Sequence, residues 1–154
     1  MKKRSHKALH VYSIQTIIKG DVMKIEHLAL QVKEPDLVAS WYCKYLGLKI
    51  KRHIPGPPCA YFLADNSDSM MMEIYYNPKE KVPDYPSLSS VAFHLAFFAE
   101  DVFQSYKNLL SAGATSLSEP IKAENGDEFA MVRDPWGLPL QLVKRSQSMI
   151  KILC

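Results

Sequence analysis

The sequence predicts an α+β fold built from two repeated βαβββ modules within one domain. Three observations carry this reading. "IEHLAL" at 25–30 returns as "AFHLAF" at 92–97, each with a histidine in the middle of an apolar run. The landmarks that follow keep a nearly constant offset: 67 residues from His27 to His94, 66 from Gly47 to Gly113, and 68 from Glu73 to Gln141. Each echo also opens the same succession of patterns, one helical stretch and then three strands. A single matched pair can arise by chance, but three across a whole unit point to duplication. Two copies of a unit that cannot cover its own sheet should pack together.

The elements follow in order. "KIEHLALQV" at 24–32 alternates as a strand, with Ile25, His27, Ala29 and Gln31 on one face and Glu26, Leu28, Leu30 and Val32 on the other. "KEPDLVASWYCKYLG" reads as a helix. Pro35 and Asp36 suit its first turn, Gly47 suits its end, and Leu37, Val38, Trp41 and Tyr45 form its apolar stripe. "LKIKRHI", "CAYFLAD" and "MMMEIYY" are three further strands, separated by "PGPP" and "DNSDS" turns. The proline-rich "NPKEKVPDYPSLSS" reads as a surface linker. The pattern then restarts with the strand "VAFHLAFF". The helix "AEDVFQSYKNLLSAG" carries Val102, Tyr106, Leu109 and Leu110 on one side. "TSLSEPI", "EFAMVRD" and "LPLQLVK" complete the second unit, with a tight "DPWG" turn before the last strand.

Composition narrows the class of function. A length of 154 residues suits one domain with a substantial core. The net charge is +3, and the basic residues are scattered apart from Lys2, Lys3 and Arg4. No nucleic-acid partner is expected, because such proteins concentrate basic charge on one stripe. No stretch is apolar for long enough to suggest a membrane span. Cys43, Cys59 and Cys154 show no metal or redox spacing, and an odd count argues against a disulfide framework. A reducing, cytoplasmic setting is therefore expected. The first 22 residues lack the continuous apolar core and cleavage site of a secretory signal, and Met23 is a possible second start. The expected organisation is an N-terminal extension at 1–22, a domain at 23–145 and a tail at 146–154. Within the domain the modules run over about 23–77 and 91–145, joined by a linker at about 78–90.

The chemistry lies in what each repeat places on its strands. The first and fourth strands of module one carry His27 and Glu73, and their counterparts are His94 and Gln141. Strand alternation sets these polar residues away from the bulkiest apolar faces. Small alanines flank them: Ala29 beside His27, and Ala92 and Ala96 beside His94. Imidazole nitrogens with carboxylate and amide oxygens suit a divalent zinc, nickel, cobalt, manganese or iron ion. The competing reading makes them ordinary polar residues satisfied by hydrogen bonds. Neither a Ser-His-Asp arrangement nor a phosphate-cradling glycine loop is evident.

The paired modules, the histidine on each first strand, the glutamate on the fourth and "DPWGLPLQLV" near the end resemble the vicinal oxygen chelate superfamily. That group includes glyoxalase I, bleomycin-resistance proteins and extradiol dioxygenases. The resemblance covers about residues 23–145. It implies an eight-stranded, incompletely closed barrel with helices outside and a divalent metal in the cavity. It implies His27, Glu73, His94 and Gln141 as metal ligands, a small-molecule substrate and a homodimer. Sites in the family lie within one chain or between two.

The resemblance leaves the reaction open. The last-strand position is usually Glu in glyoxalase I-like enzymes, and here it is Gln141. An amide can ligate through oxygen but cannot take a proton near neutral pH. The ligand set resembles that of methylmalonyl-CoA epimerase with Glu and Gln exchanged between modules, so Glu73 becomes the expected catalytic base. The expected function is a glyoxalase-like lyase or isomerase that stabilises an enediolate or enolate. The alternatives are a metal-free bleomycin-resistance-like binding protein and a small extradiol-type dioxygenase. Tyr61, Tyr75 and Arg133 are further candidates for lining the cavity. His53 has no repeat partner and is left outside the expected site.

Overall fold

The computed structural model describes residues 23–149. The N-terminal extension with Lys2, Lys3 and Arg4 lies outside the described residues, as does the end of the tail with Cys154. The first module comprises β1 (His27–Gln31), α1 (Pro35–Leu46), β2 (Lys49–Ile54), β3 (Cys59–Ala64) and β4 (Met71–Tyr76). The second comprises β5 (Leu95–Phe98), α2 (Val102–Ser111), β6 (Thr115–Lys122), β7 (Glu128–Arg133) and β8 (Pro139–Lys144). The strands form two four-stranded sheets, ordered β1-β4-β3-β2 and β5-β8-β7-β6. In each, the first and fourth strands run parallel and the other pairs are antiparallel. The fold is thus α+β with two repeated modules whose sheets do not close on one another.

Local sequence accounts for the helix ends. Pro35 occupies the first turn of α1, where its missing N–H costs nothing. Gly47 ends α1 in the left-handed conformation at φ 72°, and its N–H bonds the carbonyl of Tyr42. In α2 the Asp101 side chain accepts the Gln104 N–H at 2.8 Å.

Two sequence expectations need correction. The buried stripe of α1 is Pro35, Val38, Ala39, Trp41 and Tyr42, whereas Leu37 and Tyr45 are 56% and 39% exposed. The helix is rotated about its axis because Tyr42 reaches across to the other module. The strand expected from Val91 begins only at Leu95, since the N–H groups of Ala92 and Phe93 both bond the Ser89 carbonyl in a turn. His94 therefore stands immediately before β5.

One continuous core runs through both modules. Leu30, Leu63, Met72 and Ile74 meet α1, and Leu95, Val132, Leu140 and Leu142 extend the core through the second module. The joint between modules is polar and specific. The Tyr42 hydroxyl donates to Asp134 Oδ2 at 2.8 Å. The Trp41 indole donates to the Ala112 carbonyl at 2.9 Å, and its ring meets Trp136 edge-on. Asp134 Oδ1 accepts the N–H groups of Trp136 and Leu138, which closes the "DPWG" turn. Burial pushes the Asp134 carboxyl up, while the Tyr42 hydroxyl and three backbone N–H groups pull it back. Burial and the Asp134 charge hold the Tyr42 phenol well above its ordinary range.

The linker is anchored at its middle. Tyr85 is buried and donates to the Gln31 carbonyl at 2.9 Å, and the Gln31 amide donates to the Glu80 carbonyl at 2.8 Å. Gly137 has φ +91°, and a Cβ there would lie 2.8 Å from the Pro86 backbone nitrogen. The turn and the linker thus require glycine at that position. Among the described residues no helix is long and apolar enough to cross a membrane.

Tyr42→Phe leaves a buried carboxylate short of a donor, so it should lower unfolding free energy by about 1–3 kcal/mol, read from urea denaturation. Asp127 accepts from Arg145, the Ser146 N–H and the Ser146 hydroxyl. These bonds, the Ser146 N–H first, lower its pKa from 3.8 to about 2. A lowered carboxylate pKa adds stability above the unfolded value, and that stability is lost as pH falls through the folded value. Asp127→Asn should therefore flatten the fall in stability between pH 4 and 2; an unchanged acid profile would contradict this assignment.

Candidate functional site

The strand register builds the same arrangement twice. In the first sheet Ala29 is level with Glu73, and His27 lies two residues earlier on β1. In the second, Ala96 is level with Gln141, and His94 lies two residues earlier. His27 and Glu73 therefore stand on one face of neighbouring parallel strands with Ala29 between them, and His94 sits at the entry to β5, two residues before the Ala96 that is level with Gln141.

In the first module His27 Nε2 lies 3.6 Å from Glu73 Oε2. Its Nδ1 is hydrogen-bonded to Glu26. That contact, with the negative charge of Glu26 and Glu73, holds the imidazole above its ordinary pKa of 6.5 despite some loss of hydration. Strict alternation puts Glu26 on the opposite face. The strand begins at His27, so Glu26 escapes the alternation and curls back to the ring.

In the second module His94 Nδ1 lies 2.8 Å from the Ser90 carbonyl oxygen. A carbonyl can only accept, so Nδ1 carries the hydrogen and the neutral ring leaves a lone pair on Nε2. His94 Nε2 and the Gln141 amide make no hydrogen bond among the described residues. Both histidines thus have Nδ1 tied to an oxygen. This matches the way a metal-binding imidazole is oriented through its other nitrogen.

The register also locates the other candidates. Tyr75 shares the Glu73 face, two residues along β4. Tyr61 pairs with Ile74 and so lies on the opposite, helix-bearing face, where its hydroxyl donates to Asp36 at 2.5 Å. The Arg133 guanidinium donates to the carbonyls of Tyr85, Leu88 and Gly137, which ties the linker to the "DPWG" turn. Two residues passed over in the sequence lie on the Glu73 face. Phe62 is level with Glu73, with its ring edge-on to His27, and Arg52 is level with Phe62 on the outer strand. Pairing Glu73 with β3 and β3 with β2 would have found them, but only once the register was known.

The two halves do not meet within the chain as one compact cluster. Among the described residues, Asp36, His53 and Cys59 form the one group of three or more His, Cys, Asp or Glu residues with ligand atoms all within 4.8 Å. His94 does not join His27 and Glu73 in such a group. The donor sets of both halves nonetheless fit a divalent ion: two imidazoles, a carboxylate and an amide oxygen.

Residues 24–142 match the family model of the Glyoxalase/Bleomycin resistance protein/Dioxygenase superfamily. No curated protein matches the chain. Among solved structures, the chain is similar to SMU.1112c, with 27% identity and a TM-score of 0.61 over 80% of this chain and all of the other. It is similar to glyoxalase I from Zea mays, with 22% identity and a TM-score of 0.66 over 81% of this chain but 46% of the other. The chain therefore spans about half of that enzyme's length. TnmS3, an antibiotic binding protein from Streptomyces sp. CB03234, shares the fold at 16% identity and a TM-score of 0.61, over 81% of this chain and 98% of the other.

Proposed function

The chain belongs to the Glyoxalase/Bleomycin resistance protein/Dioxygenase superfamily, and from that premise we propose that it is a glyoxalase-like, metal-dependent lyase or isomerase. Its substrate is a small molecule with neighbouring oxygens. The observation that carries this reading is the matched pair of histidines, each held through Nδ1. A core or surface histidine has no need to repeat that arrangement beside Glu73 and Gln141 at equal register.

His27, Glu73, His94 and Gln141 would hold the ion, which is zinc, nickel, cobalt, manganese or iron. When bound, the ion supplies positive charge that stabilises negative charge developing on substrate oxygens. Glu26 fixes the orientation of His27. Glu73 takes the proton from substrate carbon and returns it, a role Gln141 cannot perform. Arg52, level with Phe62, adds positive charge on the face that carries Glu73. The site is assembled from module one of one chain and module two of a second copy in a homodimer. The open sheets support this, as does the separation of His94 from the His27–Glu73 pair. The metal-free binding protein is the second reading. It draws support from aromatic residues on the two site faces, Phe62 and Tyr75 in one and Phe98 and Phe129 in the other.

Purified protein should hold stoichiometric zinc, nickel, cobalt, manganese or iron by elemental analysis and lose it in a His27→Ala/His94→Ala variant. Glu73→Gln should cut turnover on a hemithioacetal or acyl-CoA thioester by about 10²–10⁴-fold, the range of general acid–base catalysis, with substrate binding still measurable. No metal after reconstitution would sink this reading and favour the binding protein. Iron with oxygen uptake on catechols would favour the dioxygenase.

Shared sites make a further prediction. A His27→Ala chain and a His94→Ala chain are each inactive alone. A mixed dimer concentrates both lesions in one site and leaves the other intact. Mixing the variants under exchange should restore activity if sites lie between chains, and restore none if they lie within one.

A further inference from the structure

The sheet of module one has a second face, and it too gathers ligand-type side chains. His53 of β2 is level with Tyr61 of β3, and Cys59 lies two residues before Tyr61, so all three project to the helix-bearing side. Asp36, in the first turn of α1, lies over them. The ligand atoms of Asp36, His53 and Cys59 all fall within 4.8 Å of one another. We propose that these three residues form a second metal site, distinct from the His27–Glu73 face, for a borderline divalent ion of the zinc class.

The donor chemistry selects the ion. A thiolate and an imidazole disfavour magnesium and calcium, which prefer all-oxygen shells. Carboxylate, thiolate and neutral imidazole bring two negative charges, which balance a divalent cation. Bond lengths of 2.0–2.3 Å on a tetrahedral ion place ligand atoms roughly 3.3–3.8 Å apart. His53 and Asp36 are exposed, so rotation of their side chains covers the difference.

Tyr61 organises two of the three ligands. Its hydroxyl donates to Asp36 Oδ1, and its ring stacks on His53 with centroids 4.2 Å apart and planes 10° from parallel. A hydrogen-bonded carboxylate and a packed imidazole are what an outer shell supplies to a metal. Three protein ligands leave a fourth position open, and a cavity of about 470 Å³ bordered by Asp36, Cys43 and Tyr61 adjoins the cluster. Burial, with Asp36 nearby, raises the Cys59 thiol. The metal-free cysteine therefore keeps its proton, and binding releases it.

Cobalt(II) is the probe, because a cobalt–thiolate bond gives a near-ultraviolet charge-transfer band that histidine and carboxylate ligands do not. The titration uses the full chain carrying His27→Ala and His94→Ala, so failure of the other site cannot affect it. The band should rise to saturation at one equivalent and vanish in Cys59→Ser. Tyr61→Phe should weaken binding about 10–100-fold, the range for a lost outer-shell partner, and His53→Ala, which removes a ligand, should weaken it more. Circular dichroism checks that each variant is folded. Independently, zinc should slow alkylation of Cys59 by iodoacetamide in the unmutated chain, mapped by mass spectrometry. No charge-transfer band, a band that survives Cys59→Ser, or zinc-indifferent alkylation would overturn the proposal.

Discussion

The buried hydrogen bond from Tyr42 to Asp134 is the constraint on which the arrangement of the modules rests. It spans 92 residues of sequence and joins α1 of one module to the "DPWG" turn of the other. A buried carboxylate is costly unless its oxygens are satisfied. Asp134 meets that condition with both oxygens, one taking the phenol and the other two N–H groups of its own turn. Removing any partner therefore disturbs α1, the turn and β8 together. Gly137 brings the linker against the same turn, and Arg133 locks it there through three carbonyls. The contacts that join the modules thus lie away from the sheet faces that carry His27 and Glu73.

That division of labour explains where the two candidate half-sites fall. Each sheet spends one face on its helix and the core, and its other face carries histidine beside a potential ligand. A parallel first-to-fourth strand pair sets the spacing, and duplication reproduces it, alanine spacer included. The surroundings of the two rings differ, a carboxylate at His27 and a main-chain carbonyl at His94. Either acceptor engages the ring through Nδ1, so two different local contacts leave Nε2 as the nitrogen without an oxygen partner of that kind.

Much of this was legible in the sequence because period and repeat are backbone properties. The eight strands and two helices and their order follow from the two periods and the repeat, and the sharing of faces by His27 with Ala29 and by Glu73 with Tyr75 follows from alternation. What was not legible depends on register or on strand ends. The rotation of α1 is set by Asp134, far away in sequence. Glu26 reaches His27 because the strand starts two residues later than the apolar pattern, which begins at Ile25. Tyr61 and Phe62 are adjacent, and only the pairing with β4 shows that Phe62 faces Glu73 while Tyr61 faces α1. His53 has no repeat partner in the sequence. Its neighbours Cys59 and Asp36 come from other elements and carry no common spacing.

Duplication followed by divergence leaves an asymmetry that a dimer can absorb. A chain with Glu73 in one half and Gln141 in the other has two unlike half-sites. Pairing first halves with second halves across a two-fold axis gives two identical sites, each with one carboxylate and one amide. Pairing like with like would give one site with two carboxylates and one with none. Two carboxylates sharing an ion raise each other's proton affinity, whereas a carboxylate beside an amide does not meet that repulsion. Halves that combine unlike with unlike therefore give every site a single carboxylate, and halves that combine like with like do not.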